Sequence, residues 1–123
     1  MNYTVSEFGT CVVLTFSGNL TGGPGAAKVR EELHGFIDKG KKDVVADLSN
    51  VKFVDSMGLG MLIGGLTTMR NAGGDLRISG ANQRVNSLLT VTKLFTVFKS
   101  YGTPEEAVTS FRKTRGADSH KRT

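Results

Sequence analysis

The stretch from residue 44 to residue 63 constrains the fold of this chain more than any other. Val44 to Leu48 is a short apolar, largely β-branched run, which is typical of a strand covered on both faces. Between this run and a helical pattern lies Asp55-Ser56, and a Ser or Asp in that position is a helix N-cap signal. The sequence therefore predicts a buried strand, a short loop and a helix that begins at a polar pair near the surface. The apolar residues predicted to share one face of that helix are Leu59, Leu62, Ile63, Leu66 and Met69.

Strands and helices alternate along the rest of the chain. Gly9-Thr10 separates two short runs and predicts a hairpin in which Val12, Leu14 and Phe16 face the core. Such alternation predicts one α/β domain, with a mixed, mostly parallel sheet, an antiparallel edge hairpin and about four helices. The predicted strands are 3–7, 11–16, 44–48, 75–79 and 94–98, and the predicted helices begin near Pro24, Ser56, Asn82 and Thr103.

The composition narrows the classes of function. Cys11 is the one cysteine, so it forms no internal disulfide, and we expect a small buried residue rather than a nucleophile. Of the two histidines, His34 lies on a predicted exposed helix face, so the sequence predicts no metal site and no cofactor. The chain opens without a basic-then-apolar leader, and no apolar run approaches the ~18 residues of a membrane helix. We therefore expect a cytoplasmic protein without a membrane span.

The basic charge is concentrated at one end of the sequence. Residues 112–123 hold five basic residues against a single acid, and they account for most of the formal net charge of +5. Residues 1–111 are close to neutral and do not form a basic nucleic-acid surface. We expect residues 1–111 to form the domain and residues 112–123 to be a disordered basic tail that aids solubility, with no direct contact to nucleic acid.

Two short segments carry a resemblance to a known family. Residues 47–49 (DLS) and 55–60 (DSMGLG), with Val51 and Phe53 between them, closely resemble the signature of the STAS domain family. Its best-known soluble members are bacterial anti-sigma factor antagonists. The predicted order of elements also matches the STAS fold, over roughly residues 3 to 111.

The resemblance implies a phosphorylation switch at Ser56. In that family the Ser after the Asp is phosphorylated by a partner that is both a serine protein kinase and an anti-sigma factor. Unphosphorylated protein would bind this partner and release the sigma factor, phosphorylation would end the binding, and a phosphatase acting on the phosphoserine would reset the cycle. The implied role is regulatory and not enzymatic. The predicted partner-binding residues are Asp55, Ser56, Met57, Gly58, Met61, Asn19 and Thr21.

The residues themselves leave two questions open at this site. Ser56 is also compatible with a plain capping role, since Ser is common at helix N-termini. The stripe formed by Met57, Met61, Gly64 and Thr68 either offers an adaptable apolar patch to a partner protein or packs under another helix.

Other functions compete with the switch. Many family members carry an Asp where Thr21 follows Gly18-Asn19-Leu20, and this departure leaves room for a STAS scaffold or adaptor in a stress-sensing or lipid-transport complex. Gly58-Leu59-Gly60 resembles a dinucleotide-binding turn, but the next glycine comes one residue too late for the G-x-G-x-x-G fingerprint. Because no G-x-S-x-G elbow surrounds Ser56 and no His is placed as a general base, the sequence predicts no catalytic residue.

Overall fold

A computed structural model describes residues 2–121 of the chain, and the side chains of residues 2–113. The strands form one five-stranded sheet in the order β1-β2-β3-β4-β5, in which β1 is antiparallel to β2 and the other neighbours are parallel. This confirms the predicted α/β class with its antiparallel edge hairpin. The strands are β1 (Asn2–Phe8), β2 (Cys11–Ser17), β3 (Asp43–Asn50), β4 (Asp75–Ser79) and β5 (Ser100–Tyr101), and the described helices are α1 (Pro24–Asp38), α2 (Ser56–Asn71), α3 (Gln83–Val91) and α4 (Pro104–Lys121).

The two faces of the sheet are covered by different helices. Val12, Leu14 and Phe16 of β2 belong to the larger core, together with buried residues of α1, α2 and α3, as the hairpin pattern predicts. Cys11 and Val13 point to the opposite face, where α4 covers them through Ala107, Val108 and Phe111. The central strand β3 is therefore buried on both sides, with α1 to α3 on one face and α4 on the other.

The buried face of α2 differs in part from the predicted stripe. Leu62, Leu66 and Met69 are buried and Leu59 packs against the core, but Ile63 is 38% exposed, so the prediction that it shares their face was wrong. Two glycines complete the buried face instead, and a Cβ on Gly65 would lie 3.0 Å from the Leu76 side chain. Because glycine lets the helix approach its neighbours closely, the helix is rotated away from Ile63.

The prediction of a strand over 94–98 was also wrong. Leu94–Thr96 is a short 3₁₀ helix, and β5 begins only at Ser100. The apolar run forms a turn instead of a strand. Lys93 adopts a left-handed φ of 61° just after α3, and the N–H of Phe98 donates to Leu94 O at 3.0 Å. Phe98 lies outside any strand, but it is buried as part of the larger core.

The chain's last described helix extends past the predicted end of the domain. Thr103 caps α4 as predicted, accepting from the N–H of Glu106 at 3.2 Å, and Phe111 is buried. The α4 backbone is helical through Lys121, where the sequence predicts a disordered tail, and residues 122 and 123 lie outside the described part of the chain. The division into a domain of residues 1–111 and a tail of 112–123 stays a prediction. None of the helices within residues 2–121 combines the length and apolar character that a bilayer crossing requires.

Candidate functional site

The N-terminus of α2 presents Ser56 to solvent. Asp55 is the N-cap residue, and its carboxylate accepts a hydrogen bond from the N–H of Gly58 at 2.8 Å. Ser56 is the first residue of the helix, and its side chain is exposed. The capping role that was open for Ser56 therefore belongs to Asp55, and the Ser56 hydroxyl is placed at the surface near the positive end of the helix dipole.

Leu20 holds the loop after β2 against the loop that leads into α2. The N–H of Leu20 donates to Phe53 O at 2.9 Å, and the N–H of Asp55 donates to Leu20 O at 3.1 Å. These bonds form an isolated parallel bridge between Leu20 and Val54, and the Leu20 side chain is fully buried. Two loops that are far apart in the sequence thus form one continuous surface at the carboxyl ends of β2 and β3.

Two glycines make this close approach possible. A Cβ on Gly58 would lie 2.0 Å from Leu20 O, which no side chain tolerates. Gly22 has a φ of +77°, and a Cβ there would lie 2.9 Å from the Cβ of Met57. Gly58 and Gly22 therefore let the loop after β2 rest directly on the first turn of α2.

The predicted partner-binding residues are brought together at this surface, but they are not equally accessible. Asn19 and Thr21 are exposed beside the first turn of α2, and Met57 is 63% exposed. Gly58 is buried under Leu20, so it positions the loops and offers no contact area of its own. Met61 is half-buried and packs against the core.

The stripe of Met57, Met61, Gly64 and Thr68 was predicted either to form a patch for a partner protein or to pack under another helix. The structure divides its members between these two positions. Met57 projects from the tip of α2, whereas the other three line a shallow groove between α2 and α1. Of the two methionines of the stripe, Met57 is thus openly exposed beside Ser56, and Met61 is only partly accessible.

Sequence reasoning gave Leu20 and Phe53 no part in this site. Leu20 was a lone apolar residue among Gly, Asn and Thr, and that isolation is the one signal that could have marked it as buried. Phe53 lies in the family-like segment, and its ring is 39% exposed between the bridged loop and α3. Its exposure depends on packing that no local pattern reports.

The glycines of α2 do not form a phosphate cradle. The Leu20 carbonyl occupies the space beside Gly58, whereas Gly60 and Gly64 face open space. The Gly58 N–H, at the third position of the helix, already donates a hydrogen bond to the Asp55 carboxylate. It is therefore not free to bind a phosphate. The start of α2 thus lacks the open glycine turn of a dinucleotide-binding site.

The thiol of Cys11 lies away from this surface. Cys11 is buried beneath α4, and this burial raises the pKa of its thiol to about 12, so it is not a nucleophile at neutral pH. Within the described residues, no cluster of His, Cys, Asp or Glu could hold a metal ion. His34 is exposed on α1, as predicted.

These features are those of a known domain class, and the chain belongs to the STAS domain family. The model of that family matches residues 2–107, which include the whole sheet and the surface around Ser56.

Two relatives of this chain are named as anti-sigma factor antagonists. A Thermotoga neapolitana protein whose proposed role is anti-sigma factor antagonist is 33% identical over 73 residues, which are 59% of this chain and 65% of that protein. The anti-sigma F factor antagonist of Paenibacillus polymyxa is 32% identical over 66 residues, which are 54% of this chain and 56% of that protein. The chain thus matches less than two thirds of the length of either relative.

A solved structure supports the fold independently. The crystal structure of a Thermotoga maritima protein, also with a proposed role as an anti-sigma factor antagonist, superposes with a TM-score of 0.79. The superposition covers 89% of this chain and 94% of that one at 24% sequence identity. At that identity the likeness speaks for the fold alone.

Proposed function

We propose that this protein is an anti-sigma factor antagonist whose binding to an anti-sigma factor is switched by phosphorylation of Ser56. The observation that carries the proposal is the exposed Ser56 hydroxyl at the first position of α2, next to the loop that Leu20 anchors. The names of the relatives support the general role. The partner is expected to be a serine protein kinase of the histidine-kinase-like ATPase type that also binds the sigma factor.

Charge is the physical basis of the switch. A phosphate on Ser56 adds about −1.5 to −2 charges at pH 7. The backbone N–H groups and the dipole at the start of α2 tolerate an anion there, so the fold survives. The Asp55 carboxylate is adjacent, and phosphorylation therefore turns a weakly acidic surface into a strongly negative one.

Four of the predicted contact residues are more exposed than the rest. Asn19, Thr21, Ser56 and Met57 are exposed and would touch the partner, with Met57 as the apolar anchor. Thr21 is neutral where many family members have an acid. We infer that the partner of this chain meets an uncharged hydroxyl at this point of the surface.

The proposed cycle involves three further proteins in the same cytoplasm, which are the kinase, a phosphatase and the sigma factor. The kinase transfers phosphate to Ser56 and releases the product, because the doubly charged ester no longer fits its surface. A phosphatase that acts on phospho-Ser56 restores binding, and the sigma factor is released each time the kinase is captured.

Phosphorylation by the anti-sigma kinase encoded in the same genome tests the proposal. With ATP, wild type should gain one phosphate, located at Ser56 by mass spectrometry, while Ser56→Ala should gain none. Ser100→Ala is the matched control, because Ser100 is an exposed serine at the far edge of the sheet, and it should be phosphorylated as wild type is.

Binding of the same kinase by two variants tests the switch itself. Ser56→Ala should bind at least ~10-fold more tightly than Ser56→Asp, measured by calorimetry, while both unfold like wild type. Equal affinities of the two variants would refute the switch and would instead favour a constitutive scaffold or adaptor role.

A further inference from the structure

The strand β1 leaves one long edge of the sheet open. All seven residues of β1 pair with β2 in an unbroken register, and within the described residues its outer side meets no other strand. The opposite edge, β5, has only two residues, which is one way proteins blunt an edge. Charged side chains, proline and bulges are other common guards, and of these β1 contains only Glu7, whose carboxylate is paired with Lys41.

The turn of the hairpin determines which backbone groups face this open edge. Gly9 is the first of two turn residues and has a φ of +66°, as a type II′ turn requires. Phe8 and Cys11 flank the turn and form a hydrogen-bonded pair, so every second residue back from Phe8 points its N–H and C=O towards β2. The alternate residues, Tyr3, Val5 and Glu7, direct theirs outwards.

This outward set is complementary to itself. If two copies of β1 run antiparallel around a two-fold axis at Val5, Val5 faces Val5 and Tyr3 faces Glu7 of the second copy. Each of these facing pairs is of the hydrogen-bonded kind, which exchanges two N–H···O bonds. All seven residues of the strand are then paired, and no other antiparallel register that starts from the same outward groups pairs as many.

The side chains also favour this register. Val5 is 39% exposed, and pairing places the two Val5 side chains against each other. Glu7 is the only charged residue of β1, and in this register it faces Tyr3, so no like charges oppose each other. Its carboxylate already forms an ion pair with Lys41. Tyr3 is held in place beforehand, since its ring packs 5.8 Å from that of Phe16.

We propose that β1 is a self-association edge, through which two copies of this chain join their sheets into one continuous antiparallel junction centred on Val5. The proposed switch surface stays accessible in such a dimer. Ser56 follows β3, which is separated from β1 by β2, and two strand spacings amount to about 10 Å. The dimer therefore presents two copies of that surface.

The mass of the purified protein in solution tests the proposal. The chain is 13.1 kDa, and sedimentation velocity should show a rise to twice that mass with a dissociation constant on the order of 10–100 μM, as expected for a small interface. A wild type that stays at 13.1 kDa up to about 1 mM, well above that range, would overturn the proposal.

Variants at Val5 make the test specific to the edge. Val5→Pro removes an outward N–H and leaves the bonds to β2 in place, and Val5→Lys adds a guard charge; either should weaken dimerisation at least ~10-fold. Val5→Thr keeps the N–H and the β-branched shape and should dimerise within about threefold of wild type. If Val5→Lys folds and dimerises as wild type does, the dimer lies elsewhere and the edge is refuted.

Cysteine cross-linking tests the register. Val5→Cys places two thiols directly opposite each other at the two-fold axis and should form a disulfide-linked dimer under mild oxidation. Asn2→Cys is the matched control, because in this register the two introduced thiols are about 20 Å apart along the strands. The native Cys11 is buried and takes no part. Equal cross-linking of the two variants would contradict the register.

Discussion

Replacing Gly58 by alanine should displace the loop that forms half of the candidate site. The new Cβ would lie 2.0 Å from Leu20 O and 2.6 Å from the carbonyl carbon of Leu20, and atoms that are part of the backbone cannot rotate away. To reach even 3.0 Å, the loop must move by about 1 Å. Such a shift strains the bonds from Leu20 N–H to Phe53 O and from Asp55 N–H to Leu20 O.

The expected cost follows from these two bonds. Each of these bonds, when it is lost, costs roughly 1–3 kcal/mol. Alanine recovers about 1 kcal/mol through its higher helix propensity. The free energy of unfolding should therefore fall by about 3 kcal/mol, within a range of roughly 1–5 kcal/mol.

Urea denaturation of Gly58→Ala beside Gly60→Ala measures this cost. A Cβ on Gly60 meets open space, so the second variant gains helix propensity without strain and should be more stable than wild type by ~0.5–1 kcal/mol. The two variants make the same chemical change two residues apart on one helix. If Gly58→Ala proves as stable as Gly60→Ala, the close approach of Gly58 to Leu20 does not hold the loop, which would refute this role of Gly58.

Four further substitutions probe the cap and the residue beside it, the buried thiol, and the attachment of α4. Asp55→Ala should lower the free energy of unfolding by about 1 kcal/mol through loss of the cap, whereas Ser56→Ala should change it by less than ~0.5 kcal/mol, both by urea denaturation. Burial raises the pKa of the Cys11 thiol from 9.0 to about 12, so between these values the unfolded chain releases a proton that the folded chain keeps, and stability falls as pH rises. Compared with Cys11→Ala, wild type should lose about 1.4 kcal/mol more per pH unit in that window; parallel pH profiles would contradict this. Arg77→Ala should cost about 3 kcal/mol and speed amide exchange in α4, because the buried guanidinium lies 4.0 Å from the centre of the Phe111 ring; unchanged exchange would show that this contact does not hold α4.

The sequence by itself determined the features that depend on neighbours along the chain. The spacing of apolar residues changes from that of a strand to that of a helix after Leu48, and this change predicted the strand β3 and the helix α2. The caps at Asn82 and Thr103 predicted where two further helices begin. These signals are local, because a cap bonds to an N–H three residues away and a strand alternates with a period of two. The family signature at residues 55–60 drew attention to Ser56 for the same reason.

Tertiary structure decided which face of α2 is buried and which loops share the candidate site. Ile63 is exposed because Gly58 and Gly65 let the helix approach its neighbours on another side. Leu20 joined the site through backbone bonds to Phe53 and Asp55, more than thirty residues away, and no local pattern encodes such a contact. Close approach depends on what lies opposite a residue in space, and that is set only when the sheet and its helices have packed together.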